Sequence, residues 1–263
     1  MTSPSDWDAT FIPGTTMLAN KLGITDPATL RQREYTLTAD IETQILDGQL
    51  PIPRTYDADH LRAVHTALFD DIYDWAGVTR TYDLYKDGLP FAEPRQIPAY
   101  LDAAARHIAG TDWDSLDHGG IAVEAATTYA YLNTAHPWRE GNGRSSKIFM
   151  RQLLRDHGHD LDLSKITPAQ WNNSSALTMP DLGTFEPVPD LLIPVFTRII
   201  TTYTPPTAGD ASAAQAAAGP LSLGPNTTTP QNYRTPAPAS RPYHPTRQPH
   251  RSQSPRPYRG PTP

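Results

Sequence analysis

Apolar side chains recur at helical spacing through much of the chain. Leu61, Val64, His65, Leu68, Phe69 and Ile72 fall on one face of a first helix, and Leu101, Ala104, Ala105 and Ile108 on one face of a second. From Ile121 to Leu132 the chain is rich in Ala, Val, Tyr and Leu and carries a single charge, Glu124, the pattern of a helix buried nearly all round. Arg144 to His157 places Ile148, Phe149, Leu153 and Leu154 at helical intervals, with Gly158 following as the expected C-cap. These last two helices bracket residues 133–143. Asp87-Gly88 breaks the pattern between Thr81-Tyr-Asp-Leu-Tyr-Lys86 and Leu89-Pro-Phe-Ala92, and predicts a short hairpin that Pro90 confines to an edge. The tryptophans at 7, 75, 113, 138 and 171 follow no repeat and are expected to pack.

The helical pattern stops near residue 204. Half of the 28 prolines lie in residues 205–263, where the charged groups are Asp210 and six arginines and aliphatic side chains all but vanish after Leu223. Such a segment cannot bury enough apolar surface to offset the entropy of ordering. The expected organisation is therefore a folded domain over 1–204 and a disordered, basic, Pro-rich tail over 205–263. The tail carries +5 of a whole-chain charge of −6, so the domain stands at −11. An acidic domain argues against nucleic-acid binding, except through the tail, where Tyr233, Tyr243 and Tyr258 alternate with arginines. The absence of cysteine excludes disulfides, thiolate metal sites and thiol nucleophiles. Residues 1–8 lack the features of a secretory signal, and no run approaches the ~18 apolar residues of a membrane span. A cytoplasmic protein without a membrane span is expected, with translocation as an effector left open by the tail.

Between the two central helices stands His136-Pro-Trp-Arg-Glu-Gly-Asn-Gly-Arg-Ser-Ser-Lys147. Gly141 and Gly143 allow backbone N–H groups to converge on an anion, and the helix that follows adds the positive end of its dipole. Arg144 and Lys147, three apart, are placed to reach one polyphosphate. Glu140 is a candidate ligand for Mg2+, which needs one or two carboxylates once phosphates and water complete its shell. His136 is the group able to accept a proton from an attacking hydroxyl near neutral pH. A Gly-Asn-Gly loop is also often a simple tight turn and a lone histidine often structural, so these residue types alone leave both readings open. Neither G-x-x-x-x-G-K-[ST] nor a G-x-G-x-x-G after a strand is present.

The string HPWREGNGRSSK resembles the signature of the Fic family, H-P-F-x-[DE]-G-N-G-R-x-x-R. The resemblance extends to Phe11 through Thr25, to His60 through His65, to Leu68 through Gly77, to Arg80-Thr81 and to Lys86 through Pro94. It implies an all-α Fic-fold bundle with a short β-hairpin flap, and transfer of AMP from ATP to a Tyr, Ser or Thr hydroxyl of a target protein. On that resemblance His136 is the general base and Glu140 binds Mg2+. Gly141, Asn142, Gly143, Arg144, Lys147 and the flap residue Lys86 serve the nucleotide, and the hairpin clamps the target by strand addition. Gly141 favours AMP over transfer of a bare phosphate. Two positions depart from the signature: Trp138 stands for Phe and adds an N–H that needs a partner, and Lys147 stands for Arg and loses the bidentate fork. Of six glutamates, only Glu42 has a Ser or Thr four residues earlier, and Thr43 follows it where the family's inhibitory [ST]-x-x-x-E-[GN] helix has Gly or Asn. The implied chain is thus toxin-like, without a built-in inhibitor and with a separate antitoxin. Transfer of another phosphorylated group by the same fold, and a catalytically degenerate binding module, are the alternatives.

Overall fold

A computed structural model describes residues 7–205 and the pair 233–234. Seven α-helices lie among these residues: α1 Pro27–Leu46, α2 Ala58–Phe69, α3 Ile97–Gly110, α4 His118–Ala135, α5 Asn142–Asp156, α6 Pro168–Ala176 and α7 Ile193–Ile199. Local chemistry starts several of them. The carboxylates of Asp26, Asp57 and Asp117 and the hydroxyl of Thr167 accept first-turn N–H groups of α1, α2, α4 and α6. No helix among the described residues is long and apolar enough to cross a membrane.

Helix α4 is the axis. Its Ala122, Ala125, Ala126 and Ala130 are fully buried, and their small side chains admit α3, α5 and α7 around it. Phe149, Leu153, Trp171, Phe196 and Ile199 complete that core. A second cluster joins α1 and α2 to the flank of α5 through Leu30, Ile45, Val64, Leu68, Phe69, Ile72, Tyr73, Trp75 and Ile148. The expected helices over 61–72, 101–108, 121–132 and 144–157 are all found. The first ends at Phe69, however, and Ile72 is buried in the turn beyond it.

The hairpin is also present, as β1 Tyr85–Lys86 and β2 Leu89–Pro90 in antiparallel register. Asp87 and Gly88 both have positive φ, 52° and 83°, as a two-residue turn matched to strand twist requires. A pairing not expected from sequence, β3 His159–Leu161 with β4 Ile200–Thr202, fastens the segment after α7 to the exit of α5. Strand β5, Tyr233–Arg234, pairs with the other edge of β1. The rest of the expected disordered tail lies outside the described residues.

Asp160 in β3 ties this clip to α5. Its carboxylate accepts from Arg151 Nε at 2.8 Å and Nη2 at 3.0 Å, and from Arg155 Nε at 2.9 Å and Nη2 at 2.8 Å. Burial alone would raise its pKa, but the two guanidiniums outweigh burial and hold it below the ordinary aspartate value. Its stabilisation is therefore complete at neutral pH and lost as pH falls below about 4 and through the lower folded-state value. Asp160→Asn is expected to cost roughly 2–4 kcal/mol in urea unfolding at pH 7. The gap to the parent protein should close on acidification.

Candidate active site

Helix α4 stops at Ala135 because the next residue, His136, turns left-handed at φ 40°, ψ 60°, and Pro137 follows. That strained turn is held by neighbours. Buried Arg80 donates Nε to the His136 carbonyl at 2.8 Å, Nη2 to those of Ala135 at 3.3 Å and Ala92 at 2.5 Å, and Nη1 to that of Tyr82 at 2.7 Å. His136 Nδ1 lies 3.2 Å from the Asn133 carbonyl, which fixes the proton on Nδ1 and makes Nε2 the lone-pair nitrogen. The ring of Phe91, just beyond β2, stacks on the imidazole at 3.6 Å and 13°. Burial, then the charges of Arg80 and Lys86, drives the His136 pKa well below its ordinary value, against the pull of the Asn133 carbonyl. The imidazole is neutral at pH 7. Asn133 braces the loop through its carbonyl. Its side chain turns away, donating to the Ser175 carbonyl at 2.8 Å and to Thr178 Oγ1 at 2.9 Å.

Asn142 closes the loop. Its Oδ1 accepts the Trp138 N–H at 2.9 Å and its Nδ2 donates to the Trp138 carbonyl at 2.8 Å. The side chain is thus committed to the turn, and Asn142 offers an anion only its backbone. Gly141 sits at φ 84°, and a Cβ there would lie 2.3 Å from Cε2 of Phe69. Gly143, inside the first turn of α5, faces open space. Trp138 packs as expected, stacked on His65 at 4.0 Å, and His65 in turn donates Nε2 to the Glu140 carbonyl at 3.0 Å. The indole N–H of Trp138 is buried without a hydrogen-bond partner among the described residues, a cost of about 1–3 kcal/mol.

Glu140 Oε1 accepts the Gly141 N–H at 3.1 Å, while Oε2 is buried with no hydrogen-bond partner among the described residues. Burial raises its pKa, with Arg144 opposing and Glu34 reinforcing the rise. No group of three or more His, Cys, Asp or Glu that could hold a metal occurs among the described residues. One orphaned carboxylate oxygen beside a helix N-terminus nonetheless fits a cation whose other ligands come from phosphates and water.

The two motif cations are placed differently. Arg144 is turned to α1: Nη2 pairs with Glu34, Nη1 donates to Thr38 Oγ1 at 3.4 Å, and Glu140 lies 3.9 Å away. Tyr73 donates its hydroxyl to the other Glu34 oxygen. Burial would lower the Arg144 pKa, but Glu34 and Glu140 hold it above the ordinary arginine value. Lys147 makes no hydrogen bond or ion pair among the described residues and lies 5.8 Å over the Trp171 ring. Burial lowers its pKa to about 8. Glu42 pairs with Arg151 at 3.1 Å. Lys86, on the flap, is lowered by burial and raised by the charges of Glu140 and Asp87.

Sequence reasoning missed Glu34 and Tyr73, and gave Arg80 and Phe91 no separate roles. The signal for Glu34 was the run Glu34, Thr38, Glu42 at intervals of four, facing Arg144 and Arg151 on α5.

Residues 55–154 match the family model described as Fic/DOC family. The chain is 34% identical over 171 residues to the probable protein adenylyltransferase y4lH of Sinorhizobium fredii, spanning 62% of this chain and 84% of that protein. The chain belongs to the Fic/DOC family. It is also 33% identical over 164 residues to protein adenylyltransferase VbhT of Bartonella schoenbuchensis, spanning 62% of this chain but 34% of VbhT. The chain thus matches about a third of that relative's length. Among solved structures, the VirB-translocated effector BepC of Bartonella tribocorum with bound AMPPNP superposes with TM-score 0.64 at 28% identity, covering 75% of this chain and 98% of that one.

The two Fic-loop glycines have different physical roles. Gly141→Ala drives Cβ into the Phe69 ring at a left-handed φ and is expected to lower stability by roughly 2–4 kcal/mol. Gly143→Ala, in open space in a helix, should leave stability unchanged or raise it by up to about 1 kcal/mol. Urea midpoints of the two variants check the contrast.

Proposed function

We propose that this Fic-family chain is a protein adenylyltransferase that moves AMP from ATP to a Tyr, Ser or Thr hydroxyl of a target protein. The observation that carries the reading is a neutral, oriented imidazole in the same loop as a helix N-terminus and a buried carboxylate with one oxygen unclaimed. His136 Nε2 takes the proton as the target oxygen forms a bond to the α-phosphorus, while the bond from that phosphorus to the bridging oxygen breaks and pyrophosphate leaves. Backbone N–H groups at the start of α5, from Asn142 and Gly143, stabilise charge on the phosphates. Lys147 supplies the cation for the outer phosphates. Arg144, braced by Glu34, sets the charge around Glu140. Glu140 would hold Mg2+, which when bound neutralises phosphate charge. The flap, with Lys86 in β1, takes the target segment by strand addition and brings its hydroxyl into line with the phosphate.

The effector neighbour and the basic tail support a toxin or translocated effector acting on a protein in the cytoplasm it enters. The commitment of Glu42 to Arg151 supports an inhibitory glutamate supplied by a separate antitoxin over one supplied by Glu42 itself.

Incubation with ATP labelled at the α- or the γ-phosphate, Mg2+ and cell lysate tests the activity. Label is expected on protein from the α position alone, and His136→Ala and Glu140→Gln should each reduce it at least 100-fold. Label transferred from the γ position, or persisting in His136→Ala, would overturn the assignment. Lys147 adds a pH signature. Protonated below about 8 and neutral above, it should make AMPPNP affinity weaken as pH rises through that value. Lys147→Arg should flatten the profile in calorimetric titrations.

A further inference from the structure

Strand β1 has two edges, and neither is vacant. One pairs with β2, and the other with β5, antiparallel, with Tyr85 opposite Arg234 and Lys86 opposite Tyr233. The second edge is the one on which the proposed function places the target segment. Its occupant here comes from the far end of the same chain.

Length and charge both permit this return. The 27 residues between 205 and 233 reach up to about 90 Å when extended. A domain of this size is roughly 40 Å across, so the tether does not limit which side of it the strand can reach. Residues 205–263 carry +5 and the remainder −11, so approach of the tail to the domain is electrostatically favoured. Asp83, Asp87 and Glu93 lie on or beside the hairpin. Pairing through main-chain groups asks little of side chains, which is how one edge can take either a foreign segment or a native one.

We propose that the flap edge is a docking site for this chain's own C-terminal segment, with Tyr233–Arg234 as the strand that a target must displace. The competition rests on the reading of the flap as the target's clamp; the docking does not. A tethered strand acts at an effective concentration that a free target has to match. Occupancy in cis therefore raises the apparent KM for target without changing nucleotide affinity.

The test uses the full-length chain carrying Tyr233→Pro and Arg234→Pro together. These prolines remove both N–H donors of β5, and they lie outside the helical core. Amide exchange at Tyr85, whose N–H points away from β2 toward β5, is expected to quicken at least tenfold in the variant, while that at Lys86, which faces β2, serves as the internal control. A synthetic peptide of residues 228–239 added in trans should slow exchange at Tyr85 again, and AMPPNP affinity should not move. Labelling of lysate proteins from α-labelled ATP should rise several-fold over the parent. Unchanged exchange at Tyr85 overturns the docking. Faster exchange with labelling equal to the parent's overturns the competition. If neither protein labels any target, the proposed activity has failed, while flap exchange still decides whether the segment docks.

Discussion

One buried guanidinium holds the flap, the end of α4 and the start of the Fic-signature loop in fixed relation. Arg80 spends its donors on main-chain carbonyls of Tyr82, Ala92, Ala135 and His136. Two of these lie at the end of α4, where carbonyls have no helical partner, and two flank the hairpin. Charge-assisted hydrogen bonds of this kind contribute about 1.5–3 kcal/mol each, against a desolvation cost visible in the Arg80 pKa, lowered by burial to about 10. The same interaction lets a non-glycine residue keep a left-handed backbone at His136 and places a positive charge where it discourages protonation of the ring. Position of the His136 imidazole, position of the flap and protonation state of that imidazole thus share one cause.

Across the loop, the interface of α1 with α5 is built from charge. Glu34, Thr38 and Glu42 meet Arg144 and Arg151, while Lys147 between them lies half-buried over Trp171 with no ion pair among the described residues. Paired cations in such a setting keep their charge at every accessible pH. An unpaired one is strained by desolvation and gains most when an anion arrives. The contrast distinguishes a cation that organises the site from one available to a ligand, a distinction that motif spacing does not contain.

That interface also explains what the sequence conceals. Helices α2, α3, α4 and α5 and the hairpin are legible because their burial is apolar and periodic, or because Asp87-Gly88 can adopt the turn. Helix α1 is not legible by that route. Its inward positions include Glu34, Thr38 and Glu42, and a hydrophobic pattern cannot register a face buried by ion pairs. The pairing of β3 with β4 is hidden for another reason, since contacts between residues 159 and 202 have no local signature. Within the loop, residue types singled out His136, Glu140 and Gly141 as candidates. They did not reveal that the Asn142 side chain is consumed by the turn or that Arg144 is held by Glu34.

His136, the base of the proposed reaction, illustrates a trade that follows from burial. An imidazole closed under Phe91, beside Arg80 and Lys86, is unprotonated throughout the physiological range and so always able to accept a proton. The same environment makes it a weaker base than free histidine, and a weaker base gains less from proton transfer. In the proposed reaction, acceleration must therefore rest chiefly on how the hydroxyl and the phosphate are held and on the donors already aimed at the phosphate oxygens. A fold that fixes the flap, the end of α4 and the start of α5 through Arg80 and the Asn142 turn is built for that kind of catalysis. In the proposed reaction the flap edge, paired here with β5, is then the element whose occupancy decides whether a target is held.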